Sequence, residues 1–265
     1  MKSKVLAIFL SAAVMLLALP LGVVATTAPV TTTVPETTTV PETTSTPETT
    51  TPPVNYVAEI VGGDKYETLD AAVSAAADGT TINLLANGEM TSVPNKTLTF
   101  TGNGTITIIE SFGSIGSGKT YTFDGPGVKA RWIAPEVCSD WLLLSLSGTI
   151  DVTNGASLTF EFDSTAASIT VAIYMNKGSK INVSNKSTFQ ILGHNTAGKI
   201  GDGIQLDSTA LSSISVTGGS TFLIDGTNRG YANSPTVYVE NSTFTVRNCT
   251  SNGSNGGKFT AINSI

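Results

Sequence analysis

Six stretches of the chain carry nearly the same text. "VPNKTLTF" (Val93–Phe100), "IGSGKTYTF" (Ile115–Phe123), "VTNGASLTF" (Val152–Phe160), "VSNKSTF" (Val183–Phe189), "VTGGSTF" (Val216–Phe222) and "VENSTF" (Val239–Phe244) each run from a β-branched residue through Asn, Gly or Ser to Thr-Phe. Their phenylalanines are separated by 23, 37, 29, 33 and 22 residues, so one corner is nearly constant while the intervening loops stretch. Self-similarity at this period is the mark of a solenoid.

The text on either side of the later copies alternates. Ile150-x-Val152, Ile181-x-Val183, Ile214-x-Val216 and Val237-x-Val239 precede the corners; Phe160-x-Phe162, Phe189-x-Ile191, Phe222-x-Ile224 and Phe244-x-Val246 follow them. Period two in β-branched and aromatic residues predicts strands with one buried face. Between the strands sits Asn154, Asn185, Gly218 or Asn241, residue types that tolerate a left-handed backbone. A strand, a one-residue corner and another strand is too open for a hairpin, which needs a two-residue turn with paired neighbours. The pattern predicts an all-β fold, a right-handed parallel β-helix (solenoid). In it Phe100, Phe123, Phe160, Phe189, Phe222 and Phe244 stack in one column. A β-sandwich is the structural alternative, but it does not need one corner six times.

"GSIGSGKT" (Gly113–Thr120) fits the phosphate-loop pattern at every position. That loop works only where a helix follows and offers its free N–H groups to phosphate. Here "YTFDGPGV" follows, a strand ending at Gly125-Pro126-Gly127. "GSGKT" is therefore the second corner, equivalent to "PNKT", and no nucleotide partner is expected.

One segment breaks the strand pattern. Leu69, Ala72, Val73 and Ala76 share one helical face, with Thr68 as N-cap, Asp70 in the first turn and Asp78-Gly79 as the stop. A short Ala-rich helix here is expected to cap the first coil, covering its apolar stack and unpaired edge.

The termini and charge bound the setting. "MKSKVLAIFLSAAVMLLALPLGVVA" reads as a signal peptide over residues 1–25, with an uncleaved anchor as the alternative. Residues 26–54, with their repeated T-V-P-E-T-T phrase, cannot bury a core and read as a Thr/Pro-rich linker reaching up to about 90 Å. Residues 55–265 remain for one β-helix domain, which ends in "GGKFTAINSI" without an obvious cap, so truncation at the C-terminus is an expectation. Localisation outside the cell or on its surface follows, with no membrane contact beyond the signal peptide. The chain has 14 Lys and Arg, two of them Lys2 and Lys4, against 20 Asp and Glu. No basic face for nucleic acid is expected. Cys138 and Cys249 allow one disulfide in an exported chain, and two buried free thiols satisfy the sequence equally well.

The run "YVAEIVGGDKYETLDAAVSAAADGTTINLL" (Tyr56–Leu85) resembles the opening of right-handed parallel β-helix (pectin-lyase-like) adhesin-like surface proteins of Gram-positive bacteria. It carries their Tyr-x-Thr-Leu-x-x-Ala-x-x-Ala-Ala and Gly-x-Thr-Ile-x-Leu-Leu phrases. The resemblance implies a surface module or, alternatively, a polysaccharide lyase or glycoside hydrolase. Lyases need a strong base beside calcium-holding acids, and hydrolases need facing carboxylates. The segment "LGHNTAGKIGDGIQLDS" (Leu192–Ser208) holds His194, Lys199, Asp202 and Asp207 and faintly resembles phrases of pectin hydrolases, but Asn195 departs from them and no Asp-Asp pair occurs. His194 is expected in a loop, Asp202-Gly203 in a turn, and Asp163, Asp202, Asp207 and Asp225 without a calcium site.

No catalytic residue, metal or cofactor is therefore expected. A polysaccharide or a host or matrix surface is the expected partner, and a small carbohydrate-binding module is a further alternative. Trp132 beside Arg131 is the better surface candidate for stacking on sugar, while Trp141, opening "WLLLSLSGTIDV", reads as buried strand.

Overall fold

The structure, a computed structural model, describes residues 53–110, 112–134, 141–162, 169–193, 200–207, 211–233, 235–251, 254–255 and 258–265. The signal-peptide and linker readings, and Cys138, Asp163, His194 and Lys199, lie outside the described residues.

The strands wind into a three-sided parallel β-helix. Leu142–Leu146 leads to Thr149–Thr153, which bends at Asn154 into Ser157–Glu161; Ile169–Met175 then lies parallel to Leu142–Leu146 one turn on. Those three positions belong to three sheets, called C, A and B here in the order the chain visits them. In sheet A, Tyr121, Ile150, Ile181, Ile214 and Val237 stand in register, as do Phe123, Val152, Val183, Val216 and Val239. All ten are buried, so the period-two text places one unbroken apolar file inside the coil.

The corners behave as their residue types require. Asn154, Asn185, Gly218 and Asn241 have φ of 55°, 55°, 66° and 48°, the left-handed region that costs most residues roughly 1–2 kcal/mol. The side chains also tie successive turns together: Asn185 Nδ2 donates to Asn154 Oδ1 at 3.1 Å, and Asn154 Nδ2 to Asp124 Oδ1 at 2.7 Å.

The single column of phenylalanines is corrected. Phe100 pairs with Phe123 in sheet A, and Phe123 with Val152. Phe189, Phe222 and Phe244 stand in register in sheet B, on Leu158, whereas Phe160 pairs with Trp132 and Ile191. The reason lies in the corners. Each turn bends more than once, and every bend needs a small or left-handed-tolerant residue before a strand. "PNKT" and "GSGKT" turn the chain into sheet A; the four later copies carry it from A to B. Their expected mutual equivalence holds, since Thr120 N donates to Thr97 Oγ1 at 3.3 Å. Thr120 then opens strand Thr120–Asp124, not a helix.

Helix α1 spans Leu69–Ala75, with Thr68 Oγ1 accepting from Ala71 N at 3.2 Å as the N-cap. Leu69, Ala72, Val73 and Ala76 are buried in the common core. Gly88 makes the approach possible, because a Cβ there would lie 2.7 Å from Leu69 Cβ. Two expectations change. The helix stops before Asp78-Gly79, where Lys96 Nζ donates to the carbonyls of Val73, Ser74 and Ala76 at 3.3, 3.1 and 2.7 Å. A cation on unpaired carbonyls at the negative helix end does the work assigned to glycine. The edge of strand Thr80–Leu84, in turn, is covered by Ala58–Ile60, antiparallel to it, while the helix packs on apolar side chains and its Asp70 accepts from Thr91 N and Oγ1 at 2.9 and 2.7 Å.

Asp78 has its own task. It accepts from Thr97 N at 2.6 Å and from Lys119 Nζ at 2.9 Å, and those two bonds hold its pKa below the usual 3.8. The lysine of the phosphate-loop look-alike thus anchors the segment after α1. A lowered acid pKa stabilises the fold above the unfolded value, and the gain disappears as pH falls through the folded value. Asp78→Asn is expected to be less stable than the parent at neutral pH, the difference closing below pH 3.8. Denaturant midpoints across an acid titration check this; a gap unchanged into strong acid contradicts it.

Candidate functional site

The two tryptophans exchange their expected places. Trp132 is 2% exposed and Trp141 is 51% exposed. In Val128–Ile133, Val128, Ala130 and Trp132 point inward and Lys129 and Arg131 outward. Neighbours on a strand face opposite ways, so an exposed Arg131 requires an internal Trp132. Its indole stacks on Phe160 at 5.3 Å and fills the space left by Gly113, where a Cβ would come within 2.3 Å of the ring. Trp132 is thereby removed as a sugar-binding candidate.

Trp141 stands just before Leu142–Leu146 on the outside of sheet C. Its ring meets Tyr174 edge-to-face, with centroids 5.3 Å apart and planes at 74°. Leu142, Leu143 and Leu144 are all buried, so this run has no alternation from which to read the side of the preceding tryptophan. Tyr174 itself stands in a row perpendicular to the strands, Ser114–Ser145–Tyr174–Gln205. Successive members sit at the strand spacing, about 4.8 Å. Asn176 Nδ2 donates to Ser145 Oγ at 3.0 Å and steadies that row. An exposed indole beside hydroxyl and amide groups offers an apolar plate with hydrogen bonds at its rim, which suits a sugar ring.

Asp202 is not in a turn. It lies in strand Ile200–Leu206, where glycines serve close approach: a Cβ at Gly203 would come 2.7 Å from Ile224, and one at Gly201 2.2 Å from the Thr170 carbonyl oxygen. Asp202, 1% exposed, accepts from Arg229 Nε and Nη2 at 2.6 and 2.8 Å, a bidentate pair. Arg247 donates to Asp225 at 2.8 Å, and Arg131 donates through Nε and Nη2 to Glu161. Each of the three arginines in the sequence therefore meets a carboxylate one turn away. Among the described residues no three His, Cys, Asp or Glu converge as a metal-holding group. Asp207 gives its backbone N–H to the Met175 carbonyl at 3.1 Å. Cys249 Sγ lies 3.7 Å from Thr227 Oγ1.

Comparison of the chain with protein families, with curated proteins and with solved structures finds no match.

Proposed function

We propose that the chain is an exported, cell-surface β-helix of the pectin-lyase-like, adhesin-like kind that binds glycan or matrix through Trp141 and Tyr174 and carries out no catalysis. The exposed Trp141 ring, braced by Tyr174 on a rigid sheet, carries the reading. A large apolar ring left half in water costs free energy that contact with a sugar face recovers. The pairing of every arginine with a carboxylate supports a non-catalytic role, because a guanidinium held by a carboxylate is poorly placed to take a proton from a uronate. The resemblance of residues 56–85 supports the surface setting.

Retention on gels carrying neutral or uronate polysaccharides tests this. The parent is expected to be slowed by at least one of them. Trp141→Ala should weaken retention about tenfold, equivalent to about 1.4 kcal/mol, while its unfolding free energy stays within about 1 kcal/mol of the parent, as at other half-exposed positions. Equal retention of the variant, or release of unsaturated or reducing sugars by the parent, contradicts the proposal; the second result favours the lyase or hydrolase alternative.

A further inference from the structure

Four aromatic residues are exposed among the described residues: Tyr56, Phe112, Trp141 and Phe259. Tyr56 precedes the first strand, Ala58–Ile60, and Phe259 lies in the last, Lys258–Ile262, so these two stand at opposite ends of the coil. Phe112 and Trp141 stand on neighbouring turns, each just before a strand of sheet C. Phe112 is 43% exposed, close to the 51% of Trp141.

The direction of Phe112 follows from its neighbours. In strand Gly113–Ile115 the end residues are buried and Ser114 between them is exposed. A Cβ at Gly113 would point into the coil, 2.3 Å from the Trp132 ring. Residues on either side of an inward position face outward, so Phe112 shares the outer face of sheet C with Ser114. Gly113 stands opposite Leu144, and Ser114 opposite Ser145. Continuing that register sets Phe112 one turn before Leu143, two residues along from Trp141. One strand spacing and the rise of two residues separate the Cα atoms of Phe112 and Trp141 by about 8 Å.

The Trp141 ring does not close over Phe112. It meets Tyr174, which lies one turn further on, on the side away from Phe112. Phe112, Trp141 and Tyr174 therefore occupy three successive turns, and the Ser114 and Ser145 hydroxyls lie beside the first two. A single pyranose stacked on Trp141 leaves Phe112 uncovered. A chain of sugars laid along the coil axis covers both plates and brings its own hydroxyls to Ser114 and Ser145.

We propose that the site takes a linear glycan along its length, two or more sugar residues running parallel to the coil axis from Phe112 to Tyr174, and not a single terminal sugar. This rests on the glycan-binding reading above. Phe112 is then the binding residue that sets the length of ligand recognised. A monosaccharide meets one plate and a chain meets two, and the second contact is intramolecular once the first has formed.

Titration calorimetry of the full chain tests this, with glucose and cellotetraose as neutral probes and galacturonate and tetragalacturonate as uronate probes. In one of the two pairs the tetrasaccharide is expected to bind at least tenfold more tightly than its monosaccharide. Phe112→Ala should raise the Kd of that tetrasaccharide about tenfold and leave that of the monosaccharide within about twofold. Phe112→Tyr keeps a ring and should match the parent, whereas Trp141→Ala should weaken both ligands. Equal Kd values for monosaccharide and tetrasaccharide overturn the two-plate site and leave the glycan-binding reading standing. So does a tetrasaccharide Kd untouched by Phe112→Ala in a protein that Trp141→Ala weakens, or an equal loss in Phe112→Tyr. Binding untouched by Trp141→Ala, or no binding of any of the four probes, overturns both.

Discussion

Phe222→Ala is expected to lower the unfolding free energy by about 3–5 kcal/mol, the range for emptying a buried aromatic site. The Phe222 ring is fully buried and stacks on both sides, 4.6 Å from Phe189 and 4.9 Å from Phe244. Neighbouring turns hold those two rings at the strand spacing, so they cannot close on the space left behind. The cavity therefore persists, and its cost adds to the lost transfer energy. Chemical denaturation followed by tryptophan fluorescence measures the loss; a change below about 1 kcal/mol contradicts the stacked core. Because a coil transmits stability between adjacent turns only, hydrogen exchange should accelerate most around Phe189 and Phe244 and least near α1.

The second large effect falls on the outer face of sheet C. Arg229→Met keeps much of the side-chain bulk but leaves the Asp202 carboxylate buried without its partner. Breaking a buried pair by removing one member costs about 3–5 kcal/mol; the Arg229 side chain is 38% exposed, which places the expected loss near the lower end. The companion variant Asp202→Asn removes the buried charge itself, so it should cost less than Arg229→Met. Equal or reversed costs in urea melts would show that the pair is not held as described.

The repeating part of this fold was legible because its physics is local. Ile150-x-Val152 and Ile181-x-Val183 alternate because one face is buried, and Asn185 or Gly218 marks a bend because few residues tolerate positive φ. Which bend a phrase occupies was not legible. "PNKT" and "VSNKS" read alike but sit at different corners of the coil: Asn185 and Lys186 are left-handed, with φ of 55° and 64°, whereas Asn95 and Lys96 are not, and the strand register places the two phrases apart. Asp202-Gly203 misled for a related reason: glycine beside aspartate is common in turns, but here it admits a neighbouring side chain inside a strand.

The candidate site was less accessible still. Alternation in "VKARWI" contains the burial of Trp132 once Arg131 is taken as exposed. "WLLL" contains nothing comparable for Trp141, whose side is set by the packing of sheet C. Lys119 looked like part of a nucleotide loop and Lys96 like a corner residue, and their partners, Asp78 and the carbonyls at the end of α1, lie 20 to 41 residues away.

The central claim is that successive turns pair in parallel, and paired cysteines test it. With Cys138 and Cys249 replaced by serine, Thr149→Cys with Lys180→Cys joins two positions that stand opposite each other in neighbouring turns. Their Cα atoms are separated by about 4.8 Å, inside the range a disulfide spans, roughly 4.4–6.8 Å. Antiparallel pairing of the same two strands would instead bring Thr149 opposite Ser184, a residue that hydrogen-bonds Thr153 at 3.0 Å in the coil. Mild oxidation is expected to close the 149–180 bridge rapidly and leave the 149–184 pair reduced. Rapid closure of 149–184, with 149–180 open, would contradict the parallel coil.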